Sequence, residues 1–228
     1  MLKEWEELPD CMRTEAVRPY YEALKKKRAA LLLKRVFDVV TASLMLAVLF
    51  PLFLAISLAI ILDSNGGVFF RQERITQYGE KFKIFKFRTM IANADKLGAQ
   101  VTVKDDARVT KIGRTLRKYR LDELPQLLNI IAGDMSFVGT RPEVEKYVRQ
   151  YNDEMYATLL LPAGVTSETS IMYKDEEKLL ARAEFADEAY ISKVLPEKME
   201  YNLKSLRNFS LQAEISTMAK TVFAVAEK

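Results

Sequence analysis

The chain of 228 residues carries 35 Lys and Arg against 31 Asp and Glu, a net charge of +4, with no histidine and one cysteine, Cys11. That composition excludes Ser-His-Asp and Cys-His nucleophilic systems, His-ligated metal sites, an internal disulfide and a thiolate metal cage. Acid–base work falls to Asp, Glu, Lys or Tyr, and a metal would have oxygen ligands, with Mg²⁺ the usual choice beside phosphates. The mild basic excess suits a phosphate-bearing partner or an anionic membrane surface and is too weak to argue for nucleic acid.

The first 34 residues are polar, with Trp5, Tyr20 and Tyr21 among charges. Within them "EALKKKRAALLLKR" (22–35) reads as a basic amphipathic helix that lies at an interface and leads into an apolar segment. That segment, residues 39–62, runs for 24 positions without a charge. A straight helix of that length is about 36 Å long, enough for a bilayer core of about 30 Å. Soluble core helices rarely run so far without a polar face, and the segment starts too late and is too long for a signal peptide. Seven cations precede it (Arg18, Lys25, Lys26, Lys27, Arg28, Lys34, Arg35) and six come after it (Arg71, Arg74, Lys81, Lys83, Lys86, Arg88). Orientation normally follows an asymmetry of such charges. The near balance here is satisfied if both ends stay on the cytoplasmic face. Pro51 offers the means, because proline removes a helix hydrogen bond and kinks the helix. A kinked spanning helix shares that proline signature.

After "DSNGG", a turn, "VFFRQERI" (68–75) and "EKFKIFKFRTM" (80–90) predict a β-hairpin around "TQYGE". "MIANADKLG" (90–98) reads as helical and "GRTLRKYR" (113–120) as a short basic helix or turn. In "RLDELPQLLNII" (120–131) Leu124, Leu127, Leu128 and Ile131 form one apolar helix face, with Gly133 as its stop. Pro125 belongs in the first turn, which puts Asp122 at or near the N-cap. A charged helical stretch is expected to about Leu161, a loop at "LPAGVTSETS" (161–170), and mostly helix from Asp175 onward with a break at Pro196. The tail at 213–228 has an apolar helical face that could rest on a membrane.

Two acids, Asp122 and Glu123, thus stand at a helix start beside Arg114, Arg117, Lys118 and Arg120. Such a spot attracts anions and would keep the aspartate ionised. An ionised carboxylate can attack phosphorus and form an acyl-phosphate, provided cations offset the repulsion between anions. Arg117 and Arg141 (in "GTRPE") suit that work, since a guanidinium binds phosphate oxygens in pairs. On the residues alone the plainer alternative stands beside it: a capping aspartate, a glutamate complementing the dipole, and a solvated basic face.

Taken together, "KIFKFRTM" (83–90), "RVTKIGRTLRKYRLDELPQLLNIIAGDMSFVGTRPE" (108–143) and the proline-containing apolar helix before them resemble the bacterial monotopic phosphoglycosyl transferases, also called the bacterial sugar transferase family, over residues 34–165. The resemblance implies a membrane-embedded enzyme that moves a sugar 1-phosphate from a UDP-sugar to polyprenyl (undecaprenyl) phosphate, giving a polyprenyl-diphosphate sugar and UMP. It implies a covalent aspartyl-phosphosugar intermediate, Mg²⁺, and a role at the first membrane step of bacterial glycan assembly, such as exopolysaccharide or lipopolysaccharide. Carried over by position, Asp122 matches the nucleophile and a Mg²⁺ ligand, and Glu123 the second acid, which orients the site or handles the acceptor's proton. Arg117 and Arg141 match phosphate binders, Lys86 and Arg88 further substrate-binding positions, and Pro51 the helix break. Gly66, Gly67 and Arg71 also fall on family positions.

The fold expected is α+β, mainly helical with a small β-hairpin, held to the bacterial inner membrane by a Pro-broken re-entrant helix and interfacial amphipathic helices. Its parts are a lead-in (1–34), the membrane helix (35–63) and a catalytic domain facing the cytoplasm (64–228) with C-terminal helices resting on the membrane. The sequence departs from the family pattern at Phe50, where some members have Ser, at Thr140 in place of proline, and at 161–170. The reading from another class is a non-enzymatic, membrane-anchored protein that binds anionic lipid or a partner. Such a protein would tolerate loss of both acids and need no Mg²⁺.

Overall fold

The computed structural model describes residues 2–92, 94, 106–173 and 186–226. The helix expected at 90–98 falls largely outside them, as does the start of the helical stretch expected from Asp175. Among the described residues the chain is mainly helical, with an antiparallel hairpin and a separate parallel strand pair.

The N-terminal segment contains two 3₁₀ turns and α1 (Arg18–Lys25), which breaks at Lys26 before α2 (Arg28–Asp63) begins. The expected single amphipathic helix is therefore two helices. Tyr20, Tyr21 and Leu24 of α1 are buried against protein, in a cluster that includes Leu195, Met199 and Leu206. The apolar face of α1 is thus covered by the chain itself rather than by lipid.

Helix α2 runs 36 residues with Pro51 inside it, so the proline does not end the helix. It is the one described helix long and apolar enough to cross a membrane. One side packs on protein along its whole length. Ala42 joins Phe82, Ile84, Leu127, Ile130, Met135 and Phe137, while Phe53, Ile56 and Ile60 join Phe87 and Leu116. The other side leaves Leu33, Val40, Leu44, Val48, Leu54, Leu58 and Leu62 exposed. Two of the flanking cations are structural. Arg35 donates to the carbonyls of Ile130 and Ile131 at 2.6 and 3.2 Å, and buried Lys34 is paired with Asp38 and Glu214.

The hairpin forms as the alternation predicts. Strands β1 (Phe69–Ile75) and β2 (Lys81–Phe87) pair with Arg71 opposite Phe85 and Phe70 opposite Lys86. After α3 (Lys111–Lys118) the chain enters a 3₁₀ turn at Leu121–Glu123 and then α4 (Gln126–Ala132), which Gly133 ends at φ 103°. The N-cap position of α4 belongs to Pro125, so Asp122 lies one turn upstream of where the spacing places it. Strand β3 (Met135–Val138) comes next.

The charged helix expected to Leu161 is instead α5 (Glu145–Val148) and a 3₁₀ stretch at Met155–Leu160. The expected loop at 161–170 contains β4 (Ala163–Thr166), parallel to β3, and the start of α6 (Glu168–Met172), capped by Ser167. Three further α-helices follow, α7 (Ala186–Ala189), α8 (Leu195–Arg207) and α9 (Leu211–Ala226), with a π-helical stretch at Tyr190–Val194 joining the first two. The α-helical run is interrupted by that π-helical stretch, and Pro196 sits in the first turn of α8 directly after it, where the sequence places the break. On α9, Ile215, Val222 and Phe223 are exposed.

Candidate active site

The site is assembled at the entrance to α4. Asn129 fixes α4 against the hairpin: its Oδ1 accepts from Phe85 N at 2.9 Å, and its Nδ2 donates to Lys83 O at 2.9 Å and Asp134 Oδ2 at 3.1 Å. A side-chain amide thus pairs with the free edge of β2 as a neighbouring strand would, which answers the exposed-edge problem of a two-stranded sheet. Lys86, one residue beyond Phe85, is thereby held facing the acids.

From the other side, Gly113 lets α3 press on the "KFRTM" backbone. A Cβ there would lie 2.1 Å from Thr89 O. One turn later Arg117 Nε donates to Thr89 Oγ1 at 3.1 Å. The chain then reverses at Arg120, which holds a left-handed φ of 56°. A side chain rarely adopts that conformation, at a cost of about 1–2 kcal/mol, and it brings the acids around to face the hairpin.

Glu123 receives cations from three elements. Arg141 Nη2 lies 2.6 Å and Lys86 Nζ 3.0 Å from Oε1, and Arg120 Nη1 is 3.6 Å away. Arg141 Nη1 also reaches Oε2 and the carbonyl of Val165, each at 3.4 Å. Burial works to raise the pKa of Glu123, but Arg141 and Lys86 outweigh it and hold the carboxyl well below its ordinary range. Glu123 in turn raises the pKa of Arg141. Burial pushes Lys86 down, against the pull of Glu123.

Asp122 differs. It is 8% exposed, and its Oδ1 has no hydrogen-bond partner. It caps neither the 3₁₀ turn nor α4, so the capping alternative has no support in the geometry. Burial first, and the charge of Glu123 second, raise its pKa, while Lys86, Arg117 and Arg120 oppose the rise. Desolvation, rather than the field of a helix end, thus dominates the surroundings of this aspartate.

The sequence candidates therefore divide. Lys86, Glu123 and Arg141 are in direct contact, with Asp122 adjacent and Arg117 one turn upstream on Thr89. Arg88 is elsewhere: its guanidinium donates to the carbonyls of Ser64 and Asn65, Ser64 at 2.7 Å, and binds the "DSNGG" turn. Gly66, at φ 129°, sits against that guanidinium. Arg71 stacks over Phe85 with 4.5 Å to the ring centroid. Pro51 lies within α2. Asn129 is a residue that pattern reading missed as part of the site, while Arg120, named there only as a neighbouring cation, also makes the left-handed turn. The left-handed turn leaves no signal at an arginine, whereas a lone Asn inside an apolar helix run was visible and has its explanation in the strand edge.

A family model described as bacterial sugar transferase matches residues 29–228. Among curated proteins, the chain is 34% identical over 194 residues to the UDP-N-acetylgalactosamine-undecaprenyl-phosphate N-acetylgalactosaminephosphotransferase of Aeromonas hydrophila, covering 83% of this chain and 43% of that protein. It is 36% identical over 197 residues to the UDP-glucose:undecaprenyl-phosphate glucose-1-phosphate transferase of Escherichia coli K12, covering 84% and 40%. The exopolysaccharide production protein ExoY of Sinorhizobium fredii is 35% identical over 207 residues, 84% of each chain. The chain thus spans less than half of the first two relatives and most of the third.

Proposed function

The chain belongs to the bacterial sugar transferase family, and from that premise and the geometry of the two acids we propose that it is a phosphoglycosyl transferase acting on a UDP-sugar and polyprenyl phosphate at a membrane. The observation that carries this reading is a buried aspartate, its Oδ1 unpartnered, within the field of Lys86, Arg117 and Arg120 and next to a glutamate already satisfied by Arg141 and Lys86. Lipid binding has no use for such a carboxylate. Phosphoryl transfer does, because the nucleophile must be free and the charge that builds on phosphorus must meet cations.

The carboxylate of Asp122 attacks the phosphorus that bears the sugar. The new bond is Asp122 Oδ to phosphorus. The bond from phosphorus to the bridging oxygen breaks, and its electron pair leaves with UMP. An oxygen of the polyprenyl phosphate then attacks the aspartyl-phosphosugar and returns Asp122 to its carboxylate. A carboxylate held as low as Glu123 is a weak base, which favours the orienting role for it over proton transfer. Arg141 and Lys86 share their charge between Glu123 and the incoming phosphates, and Arg117 stands on the Thr89 side.

Mg²⁺ fits the donor set. Asp122 Oδ1 is a free hard oxygen, and this ion is commonly held by one or two carboxylates together with substrate phosphates. When bound, it supplies neutralisation of the diphosphate charge.

The apolar face of α2 and the exposed Ile215, Val222 and Phe223 of α9 face lipid in this reading. Protein contacts at both ends of α2, from Arg35 on Ile130 to Asp63 Oδ2 accepting Ile112 N at 3.0 Å, favour a helix that keeps its two ends on the cytoplasmic side of the inner membrane. The catalytic part, 64–228, then meets a soluble nucleotide and a lipid phosphate at headgroup level.

The test is UMP release by the full chain in nanodiscs with undecaprenyl phosphate, Mg²⁺ and a panel of UDP-sugars. Release with a particular donor, abolished by EDTA, is the expected result and names the sugar. No release with any donor refutes the reading.

A further inference from the structure

Gln126 is the first residue of α4, separated from Asp122 only by the end of the 3₁₀ turn, Leu124 and Pro125. It is 1% exposed, and neither its Nε2 nor its Oε1 has a hydrogen-bond partner. The nearest polar atom in the same condition along the chain is Asp122 Oδ1. Burying an unpaired amide costs stability that an apolar side chain of equal volume would not. Asn129, three residues on, shows what a structural amide does at this helix: both of its polar atoms are engaged. Gln126 is kept in the opposite condition, and buried polar atoms of that kind call for a partner from outside the chain, be it water, ion or ligand.

The surroundings select the ligand's chemistry. Lys86, Arg117, Arg120 and Arg141 stand around Asp122 and Glu123, four cations against two anions. The surplus is positive, so the site admits an anion, and of the two amide atoms only the donor Nε2 serves an anion.

We propose that Gln126 is a further substrate-contacting residue, whose Nε2 donates to a non-bridging oxygen of the phosphoryl group as it moves onto Asp122. The assignment rests on the transfer reading above. Gln126 exchanges no proton or electron in the step. Its hydrogen bond strengthens as charge accumulates on that oxygen, so it acts on the transfer rate more than on donor affinity.

The experiment compares the full wild-type chain in nanodiscs with Gln126→Met and Gln126→Glu. It measures kcat and KM for UMP release and the unfolding temperature without nucleotide. Gln126→Met is expected to unfold no earlier than the wild type, to lose about 100-fold in kcat, and to change KM by less than about threefold. Gln126→Glu, which cannot donate and adds a negative charge, is expected to be no more active. Wild-type kcat in Gln126→Met overturns the assignment, as does a fall in its unfolding temperature that accounts for the lost activity. Activity retained by Gln126→Glu but not Gln126→Met also overturns it, because it points to a cation held through Oε1. A wild-type chain that releases no UMP refutes the transfer reading itself, and the assignment with it.

Discussion

Arg141→Met tests whether charge, rather than packing, holds the site together. The guanidinium contacts both oxygens of Glu123, at 2.6 and 3.4 Å. Breaking a buried ion pair by removing one partner costs about 3–5 kcal/mol. Two features reduce that here. Lys86 remains 3.0 Å from the carboxylate, and 32% of the Arg141 side chain is in solvent, where screening weakens the pair. The expected loss at pH 7 is about 2 kcal/mol, or roughly 4–8 °C for a chain of this size. In a Glu123→Gln background the same substitution should cost much less, giving a coupling of about 1–2 kcal/mol in the double-mutant cycle. The pH dependence has a definite sign. The pKa of Glu123 is depressed in the folded state, so its stabilisation is present above the unfolded carboxylate range. It is lost as pH falls through the folded pKa. The Arg141→Met deficit is therefore complete at pH 7 and shrinks below about pH 4. Chemical unfolding of the full chain in micelles at both pH values measures this. An equal deficit at both pH values, or in both backgrounds, would show that Arg141 acts by packing.

Asp122→Asn should abolish UMP release and any covalent phosphosugar adduct, yet be more stable than the wild type at pH 7. The raised pKa means that ionisation opposes folding, and this cost appears as pH rises above the unfolded carboxylate range. Turnover by that variant would remove Asp122 from the mechanism. Asn129→Leu should cost about 2–3 kcal/mol and expose the Phe85 amide to hydrogen exchange, a change absent if the strand-edge bond is dispensable. Gly164→Ala places a Cβ 2.2 Å from Gly139 N. It should cost about 1–3 kcal/mol and slow UMP release, because Arg141 stands only two residues after Gly139. A variant of normal stability and rate would show that β3 and β4 can separate without consequence.

Much of this was legible in the sequence because local chemistry decided it. Alternation around "TQYGE" gave the hairpin, and Gly133 stopped α4 for the reason glycine usually does, a positive φ. The chemistry-bearing residues Lys86, Glu123 and Arg141 were named from motif alone and lie in contact. What pattern reading missed depends on long-range partners. "AGVT" has no alternation to mark it as a strand, and it becomes one by pairing with β3. Counting flanking cations treats them all alike, yet Lys34 and Arg88 are buried and bound to protein groups while Lys25 and Lys81 are exposed. The burial of Asp122 escaped pattern reading for a similar reason. Helix-end fields are local, whereas desolvation comes from everything packed above the residue.

The seam along α2 changes what removing the membrane segment would mean. Ala42, Phe53, Ile56 and Ile60 each complete a cluster whose other members come from the hairpin, from β3 and from the helices beside the two acids. In the membrane reading proposed above, the segment is at once an anchor and a wall. Deleting it to obtain a soluble form would leave Phe82, Phe87, Leu116 and Ile130 facing water, in the hairpin and helices that carry the site. Detergents that strip lipid from the outer side of α2 without wedging into this seam should keep the catalytic part intact, so the choice of solubilising agent bears on the fold of the active site as well as on its extraction.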